Sequence, residues 1–145
     1  MPRNPHTFAA AYALLIKDGN ILLLRRYNTG YEDGNYSLPA GHVEPEETFT
    51  QSIIRETREE TGITLREENL QVAHIMHRNN QHGRSYVDVF YTVREWAGTP
   101  ENKEHEKCDD LAWFPLDNLP KNTIPSVLLA IENSQKGVFY SEFSW

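Results

Sequence analysis

The chain has 145 residues, 39% of them hydrophobic and 24% charged, and a formal net charge of −7. That length suits a single domain, 1–145, with one sizeable core, and that apolar content excludes a disordered chain. The acidic balance argues against a nucleic-acid partner, and a single cysteine, Cys108, excludes an internal disulfide and suits a reducing cytoplasm.

The longest apolar run, Phe8–Ile16, is too short to span a membrane. With Arg3 ahead of it, the run has the outline of a signal-peptide core, but no small-residue cleavage site follows. Lys17-Asp18-Gly19-Asn20 follows instead, then Ile21–Leu24. This is a strand, an Asp-Gly turn and a second strand, and it predicts a hairpin in a cytoplasmic protein. Tyr27–Tyr36 is a loop rich in Gly, Asn and Asp, and Tyr36–Leu38 a short strand. Thr48 with Gln51 three residues later is a capping box that opens a helix. Gly62 closes that helix after about fourteen residues. Leu70–His77 is a candidate strand, and Asn79–Gly83 a turn-rich break. Tyr86–Trp96 alternates, with Val87, Val89, Tyr91 and Val93 on one face. A charged loop, Gly98–Lys107, separates it from a short strand, Leu111–Phe114, closed by Pro115. Asp117–Pro120 reads as a turn. Ile124–Ser134 reads as a helix with Pro125 in its first turn and Val127, Leu128 and Ile131 at helical spacing. Several strands and two separated helices, without repeat or linker, predict an α+β fold.

Most of the chemistry sits between Gly41 and Ile63, which read GHVEPEETFTQSIIRETREETGI. Glu56, Glu59 and Glu60 fall at i, i+3 and i+4 and share one helix face. Like charges at that spacing weaken a helix, and a bound cation relieves them. Carboxylate oxygens suit a hard ion such as Mg²⁺ or Mn²⁺. Arg55 lies one turn before Glu59, placed to neutralise and orient it. Taken alone, an E-x-x-E-E run is most often a solvated face. Its surroundings set this one apart. Gly41, Glu47, Arg55, Glu56, Glu59, Glu60 and Gly62 fit G-x5-E-x7-R-E-T-x-E-E-x-G-I, after a Pro-Ala-Gly loop. This pattern resembles the Nudix box, and the chain resembles the MutT-like Nudix hydrolases, which cleave a nucleoside diphosphate linked to a further group.

The resemblance implies a mixed β-sheet sandwiched between α-helices and a Mg²⁺-dependent nucleotide pyrophosphohydrolase, with Mn²⁺ able to substitute. It implies that Glu59 and Glu60 are the principal metal ligands. Glu56 is a further ligand or the group that orients or deprotonates the attacking water. Glu47 is a supporting outer carboxylate, and the carbonyl of Ala40 a metal ligand. Arg55 belongs to the catalytic set beside Glu56 and Glu59. Gly41 lets the loop approach the phosphates closely. Two positions depart from the family pattern. Thr57 replaces an aliphatic residue, which bears on packing, and Glu46 stands where many relatives have glycine, which stiffens or re-aims the loop. Many relatives are dimers, so a homodimer is compatible with the resemblance.

Members that sanitise nucleoside triphosphates often add an acid from the loop after the long strand. Here Glu101, Glu104 and Glu106 follow Trp96-Ala97-Gly98-Thr99-Pro100, and spacing favours Glu104, with Glu106 a close rival. Arg25 and Arg26 end the second strand near the box, and Arg26 is a candidate phosphate contact. Tyr27, Tyr31 and Tyr36 are candidates for stacking on a base, with Tyr36 the one assigned to substrate. Asn122 is available ahead of the last helix, where oxidised-guanine sanitisers often read the base, although alignment on Pro125 puts Thr123 at that point. Arg78, Asn79 and Asn80 occupy the stretch where ADP-ribose hydrolases carry a proline, and Tyr86 lies late for the tyrosine of the dinucleoside polyphosphate group. The NADH and coenzyme A signatures are absent. By elimination, the expected substrate is a normal or oxidised (deoxy)nucleoside triphosphate, cleaved to a monophosphate and pyrophosphate. A non-catalytic Nudix nucleotide sensor, a hydrolase of ADP-ribose or nucleotide sugars, and an isoprenoid-type isomerase are the alternatives. The sensor is expected to have an eroded box, and the isomerase needs a Cys–Glu pair.

Overall fold

The computed structural model describes residues 7–80 and 83–145. Eight strands are present: β1 (Thr7–Lys17), β2 (Asn20–Arg26), β3 (Tyr36–Ser37), β4 (Ala40–His42), β5 (Leu70–Asn79), β6 (Ser85–Val93), β7 (Cys108–Pro115) and β8 (Tyr140–Phe143). The helices are α1 (Phe49–Thr61) and α2 (Pro125–Lys136), and Glu67–Asn69 form a single 3₁₀ turn before β5.

The hairpin expected from Asp18-Gly19 is present. Asp18 and Gly19 have φ of 52° and 77°, the left-handed pair that a two-residue hairpin turn requires. The strands run β3-β2-β1-β6-β5-β8, with β4 on β1 and β7 on β2. β1 lies parallel to β6 from Thr7↔Ser85 to Leu15↔Val93, and β5 pairs β6 antiparallel. The sheet is therefore mixed, as expected.

β1 is the strand that divides the sheet. Its only registered pairs with β2 are Ile16↔Ile21 and Lys17↔Asn20. Ala10, Ala11 and Tyr12 pair instead with His42, Gly41 and Ala40 of β4. β2 and β4 thus diverge from β1, and the site opens where they part.

Continuous apolarity over Ala10–Ile16 follows from burial of β1 on both faces, while Phe8 at the start of the run is exposed. Leu14 and Ile16 join Met76, Phe90 and the Val127, Ala130 and Ile131 face of α2. Ala13 and Leu15 join Val89, Tyr91, Val93 and Ile53 of α1. The sheet is sandwiched between the two helices, in the α+β arrangement expected.

Several elements differ from expectation. β4 is a strand where a Pro-Ala-Gly loop was expected, and β6 ends at Val93 rather than Trp96. β5 continues through Asn79, so the break begins later; Gln81 and His82 lie outside the described residues, as does Arg3. β7 begins at Cys108 rather than Leu111, because Arg25 and Arg26 extend its pairing with β2 across a register shift. β8 was not expected, since four residues without clear alternation carry little signal. It is held by parallel pairing to β5 and by buried His74, whose ring nitrogens lie 2.8 Å from the Val138 carbonyl and 2.7 Å from Ser141 Oγ. No helix among the described residues is long and apolar enough to cross a membrane.

Candidate active site

Local sequence chemistry fixes α1 at both ends. Thr48 Oγ1 accepts the Gln51 amide at 3.0 Å, and Gln51 Oε1 accepts the Thr48 amide at 2.9 Å. Gly62 closes the helix in the left-handed region, with φ of 78°. Ile53 is fully buried in the core, and Glu56 and Glu60 follow it at i+3 and i+7 on the same face, so that face passes from the core into the cleft that Glu56, Glu59 and Glu60 line.

These three carboxylates line a cavity of about 630 Å³ together with Arg26, Ala40, Gly41, Arg55, Glu104 and Cys108. A loop acid thus joins the helix acids, and it is Glu104. Its carbonyl accepts the amides of Lys107 and Cys108, each at 2.9 Å, so the loop is folded around it. Glu101 pairs with Lys103 at 3.0 Å on the surface, and Glu106 is exposed.

Arg55 organises the acids. Its Nε donates to Glu47 Oε2 at 2.8 Å, and its Nη2 to Glu47 Oε1 at 3.0 Å. Its Nη1 donates to Glu56 Oε1 at 2.7 Å and reaches Glu59 Oε2 only at 3.4 Å. The expected partner, Glu59, is thus the weakest of the three. Glu47 reaches the guanidinium from the loop ahead of α1, and Glu56 meets it as the next residue along the helix. The bidentate pair holds the Glu47 carboxyl down at about 2.

Burial pushes the Glu56 carboxyl above its ordinary value, against the pull of Arg55. Burial pushes Glu60 well above, countered by the Ala40 amide, which donates to Glu60 Oε1 at 2.8 Å, while Glu56 and Glu104 add repulsion. Among the described residues, no three His, Cys, Asp or Glu side chains already converge as a metal cage. Arg55 bridges Glu47, Glu56 and Glu59, while the Ala40 amide takes Glu60. The donor set nevertheless fits a hard divalent ion: it is all oxygen, mutually repulsive and in part desolvated, which a cation would relieve.

Gly41 has a specific reason to be glycine. A Cβ there would overlap the carboxyl carbon of Glu56. Its bare backbone is the floor on which Glu56 lies, a closer constraint than the approach of phosphate.

Beyond the acids, a second cavity of about 360 Å³ shares Leu24, Arg26, Ala40, Gly41, His42 and Glu60 with the first. Tyr12, Tyr31, Arg78, Arg84 and Tyr86 line it, with Ile124 and Val127 from the start of α2. Arg26 thus faces both cavities, its Nε donating to the Tyr31 carbonyl at 2.6 Å. Arg25 turns away to Asp109 at 2.7 Å.

Two expected substrate residues are not brought here. Tyr36 is buried in the core beside Phe114, its hydroxyl donating to Asp110, because β3 pairs with β2 and turns that ring inward. Asn122 is exposed and donates to the Gly34 carbonyl at 2.8 Å, bracing the loop from outside. Thr123 is buried, its hydroxyl donating to the Pro120 carbonyl at 2.7 Å. Of the three loop tyrosines, Tyr31 is the one on the wall. The motif did not disclose Tyr12, His42, Arg78, Arg84 and Tyr86. One signal was available: on the face opposite Val87, Val89 and Tyr91, Asp88 stands between Tyr86 and Phe90, and a charge between two aromatic residues needs a partner if that face is buried.

Cys108 also stands on the wall of the acidic cavity, which spacing alone did not suggest. Its Sγ lies 3.2 Å from the Asp110 carbonyl. Burial raises the thiol above its ordinary value, away from the thiolate that a nucleophile needs.

A sequence model of the NUDIX domain matches residues 6–133. Among curated proteins, the chain is 29% identical over 116 residues to an ADP-ribose pyrophosphatase of Methanocaldococcus jannaschii, covering 80% of this chain and 66% of that protein. It is 34% identical over 107 residues to the NAD-capped RNA hydrolase NudC of Stutzerimonas stutzeri, covering 74% and 36%. It thus spans less than two thirds of the length of each. Against the CTP pyrophosphohydrolase of Escherichia coli it is 32% identical over 94 residues, covering 65% and 67%. Among solved structures, a MutT NUDIX hydrolase from Burkholderia pseudomallei superposes with a TM-score of 0.80 at 28% identity, covering 87% of this chain and 96% of that one. With the domain match spanning most of its length and the fold in agreement, the chain belongs to the Nudix family.

Proposed function

We propose that this chain is a divalent-metal-dependent pyrophosphohydrolase that cleaves a normal or oxidised (deoxy)nucleoside triphosphate to a monophosphate and pyrophosphate, with Mg²⁺ as the metal and Mn²⁺ able to replace it. The observation that carries the reading is the junction of the two cavities: five carboxylates, Glu44, Glu56, Glu59, Glu60 and Glu104, line one, and aromatic rings with arginines line the other. Phosphates would lie over the acids and the nucleoside beyond them.

Glu56, Glu59, Glu60 and Glu104, with the Ala40 carbonyl, are the residues that would hold the metal. When bound, the ion supplies charge neutralisation at the pyrophosphate and lowers the pKa of a water. Arg55 holds Glu56 in place, and Glu56, partly desolvated, is suited to accept a proton from the attacking water. Arg26 is placed to meet a phosphate where the cavities join. Gly41 leaves room for Glu56. All the carboxylates of the box are kept, which favours turnover over a non-catalytic sensor. The substrate is a small molecule met in the cytoplasm.

The test is a nucleotide panel with Mg²⁺, scored for pyrophosphate and orthophosphate separately. Activity is expected to vanish with EDTA and return with Mg²⁺ or Mn²⁺. Glu59→Gln and Glu60→Gln are each expected to lower kcat at least about a hundredfold, since each removes charge from the ion's coordination. Near-normal rates in both would end the assignment. Relatives named for ADP-ribose, CTP and NAD-capped RNA make those compounds necessary members of the panel.

A further inference from the structure

The second cavity has a feature that the reaction above does not use. Arg78 on β5 and Asp88 on β6 form a bidentate ion pair, Nε to Oδ2 at 2.7 Å and Nη2 to Oδ1 at 3.2 Å. Asp88 is fully buried and Arg78 nearly so, at 8% exposure. The guanidinium lies over the Tyr86 ring, 4.3 Å from its centroid. Such a pair contributes little net stability, because desolvation offsets attraction, and an apolar pair of similar volume is often as good. Its position is therefore informative: Arg78 belongs to the wall of the cavity, and Asp88 does not.

Asp88 has two consequences for that wall. It cancels the charge of Arg78, so the pair is not a phosphate site. It also takes only two of the five N–H groups of the guanidinium and fixes the plane of the rest. The pair then offers donors without net charge. Arg26 and Arg84 add further, charged donors, and the one carboxylate in the lining among the described residues, Glu60, lies at the junction with the acidic cavity. A guanidinium, which can only donate, matches a base edge of acceptors. The O6 and N7 atoms of a 6-oxopurine are two adjacent acceptors, the edge that arginine reads in a bidentate manner. A 6-aminopurine presents an NH₂ donor in place of O6, and donor against donor leaves buried groups unpaired.

We propose that the buried Arg78–Asp88 pair is the base-reading element of this chain, and that it selects a 6-oxopurine nucleotide over a 6-aminopurine one. This rests on the nucleotide reading above, with Arg78 as a specificity residue rather than a participant in hydrolysis.

The test is equilibrium binding of GMP, IMP and AMP to the full chain without metal, by calorimetry, so that no turnover is needed. GMP and IMP are expected to bind at least about tenfold more tightly than AMP, the discrimination of one bidentate contact. In Arg78→Leu/Asp88→Leu, which leaves no unpaired buried charge, the ratio is expected to fall to about one. With triphosphates, the same variant is expected to raise KM for GTP and leave kcat within about threefold. Equal binding of the three by the native protein, or no measurable binding, overturns the proposal, and that result does not depend on the variant folding. A folded double variant that keeps the GMP preference overturns it too. Should the chain cleave no triphosphate, the binding ratio still stands or falls alone, so the two readings fail separately.

Discussion

At the residue scale, two positions in the loop ahead of α1 show what a single side chain costs. Gly41 has room for no Cβ, because Glu56 lies where it would stand. Gly41→Ala is expected to displace that carboxylate and lower kcat by about ten- to a hundredfold, the cost of a misplacement near 1 Å. Circular dichroism and the urea midpoint are expected to be almost unchanged, and a variant with full activity would show that Glu56 moves aside freely. Glu46 is the reverse case. Its backbone is left-handed, with φ of 65°, so the departure from the family pattern puts a Cβ at a position that favours glycine and strains the loop. The left-handed penalty of roughly 1–2 kcal/mol exceeds glycine's entropic cost of roughly 0.5–1 kcal/mol. Glu46→Gly is therefore expected to stabilise the fold by about 0.5 kcal/mol in urea denaturation, and a loss of stability would place the strain elsewhere. Cys108 lies close to the acids with its thiol held neutral by burial. Cys108→Ser is expected to leave kcat within about twofold, since no step needs a thiolate; an inactive but folded variant would reopen the isomerase alternative.

At the scale of the element, α1 was the most legible part of the chain. Capping box, glycine stop and three-acid face are all local patterns, and local patterns survive without knowledge of the fold. The partner of Arg55 was less legible. Helical spacing points to Glu59, but Glu47 reaches Arg55 from outside the helix, which no periodicity encodes. Arg55→Ala is thus expected to lower both activity and stability, through Glu47 and Glu56 more than Glu59. The sign with pH follows from Glu47. Its folded carboxyl sits at about 2 against an ordinary 4.5, so the stability from pairing is complete above about 4.5 and is lost as pH falls towards 2. The gap in urea midpoint between the native chain and Arg55→Ala is expected to narrow over that window. A gap independent of pH would mean that Arg55 acts through packing alone. Thr57 is the packing departure foreseen in the sequence: it is fully buried, and its Oγ1 is the one buried side-chain N or O atom without a hydrogen-bond partner among the described residues. Thr57→Val keeps the shape, removes the orphan hydroxyl and is expected to stabilise by about 1 kcal/mol.

Across the whole molecule, the site depends on how far apart its parts are in sequence. β1 leaves β2 to pair with β4, and into that fork come a helix face, the end of β2 and the loop before β7. The strands and both helices were legible, because alternation, apolar runs and caps report on neighbours a few residues away. The wall of the second cavity was not, because Tyr12, Arg78 and Tyr86 come together only through the parallel pairing of β1 with β6 and the antiparallel pairing of β5 with β6. Tyr36 and Asn122 failed to reach it for the same reason: proximity to the box in sequence does not decide which face a side chain takes. Glu104 is the long-range contact that spacing did suggest, and it carries a direct test. It lines the cavity with the helix acids, and its charge adds to those of Glu56 and Glu60, whereas Glu101 is paired with Lys103 in solvent. A triphosphate presents a compact run of negative charge, and a fourth carboxylate helps hold the cations that neutralise it. Glu104→Gln is therefore expected to slow triphosphate cleavage by about tenfold or more, and Glu101→Gln by less than about twofold. The slowing is expected to ease as Mg²⁺ is raised, because a weakened ligand set is refilled by mass action. Equal effects at the two positions would remove Glu104 from the metal set. If ADP-ribose gave the highest kcat/KM in the same panel, with Glu104→Gln slow on it too, the fourth acid would stand and the choice of a triphosphate would fall.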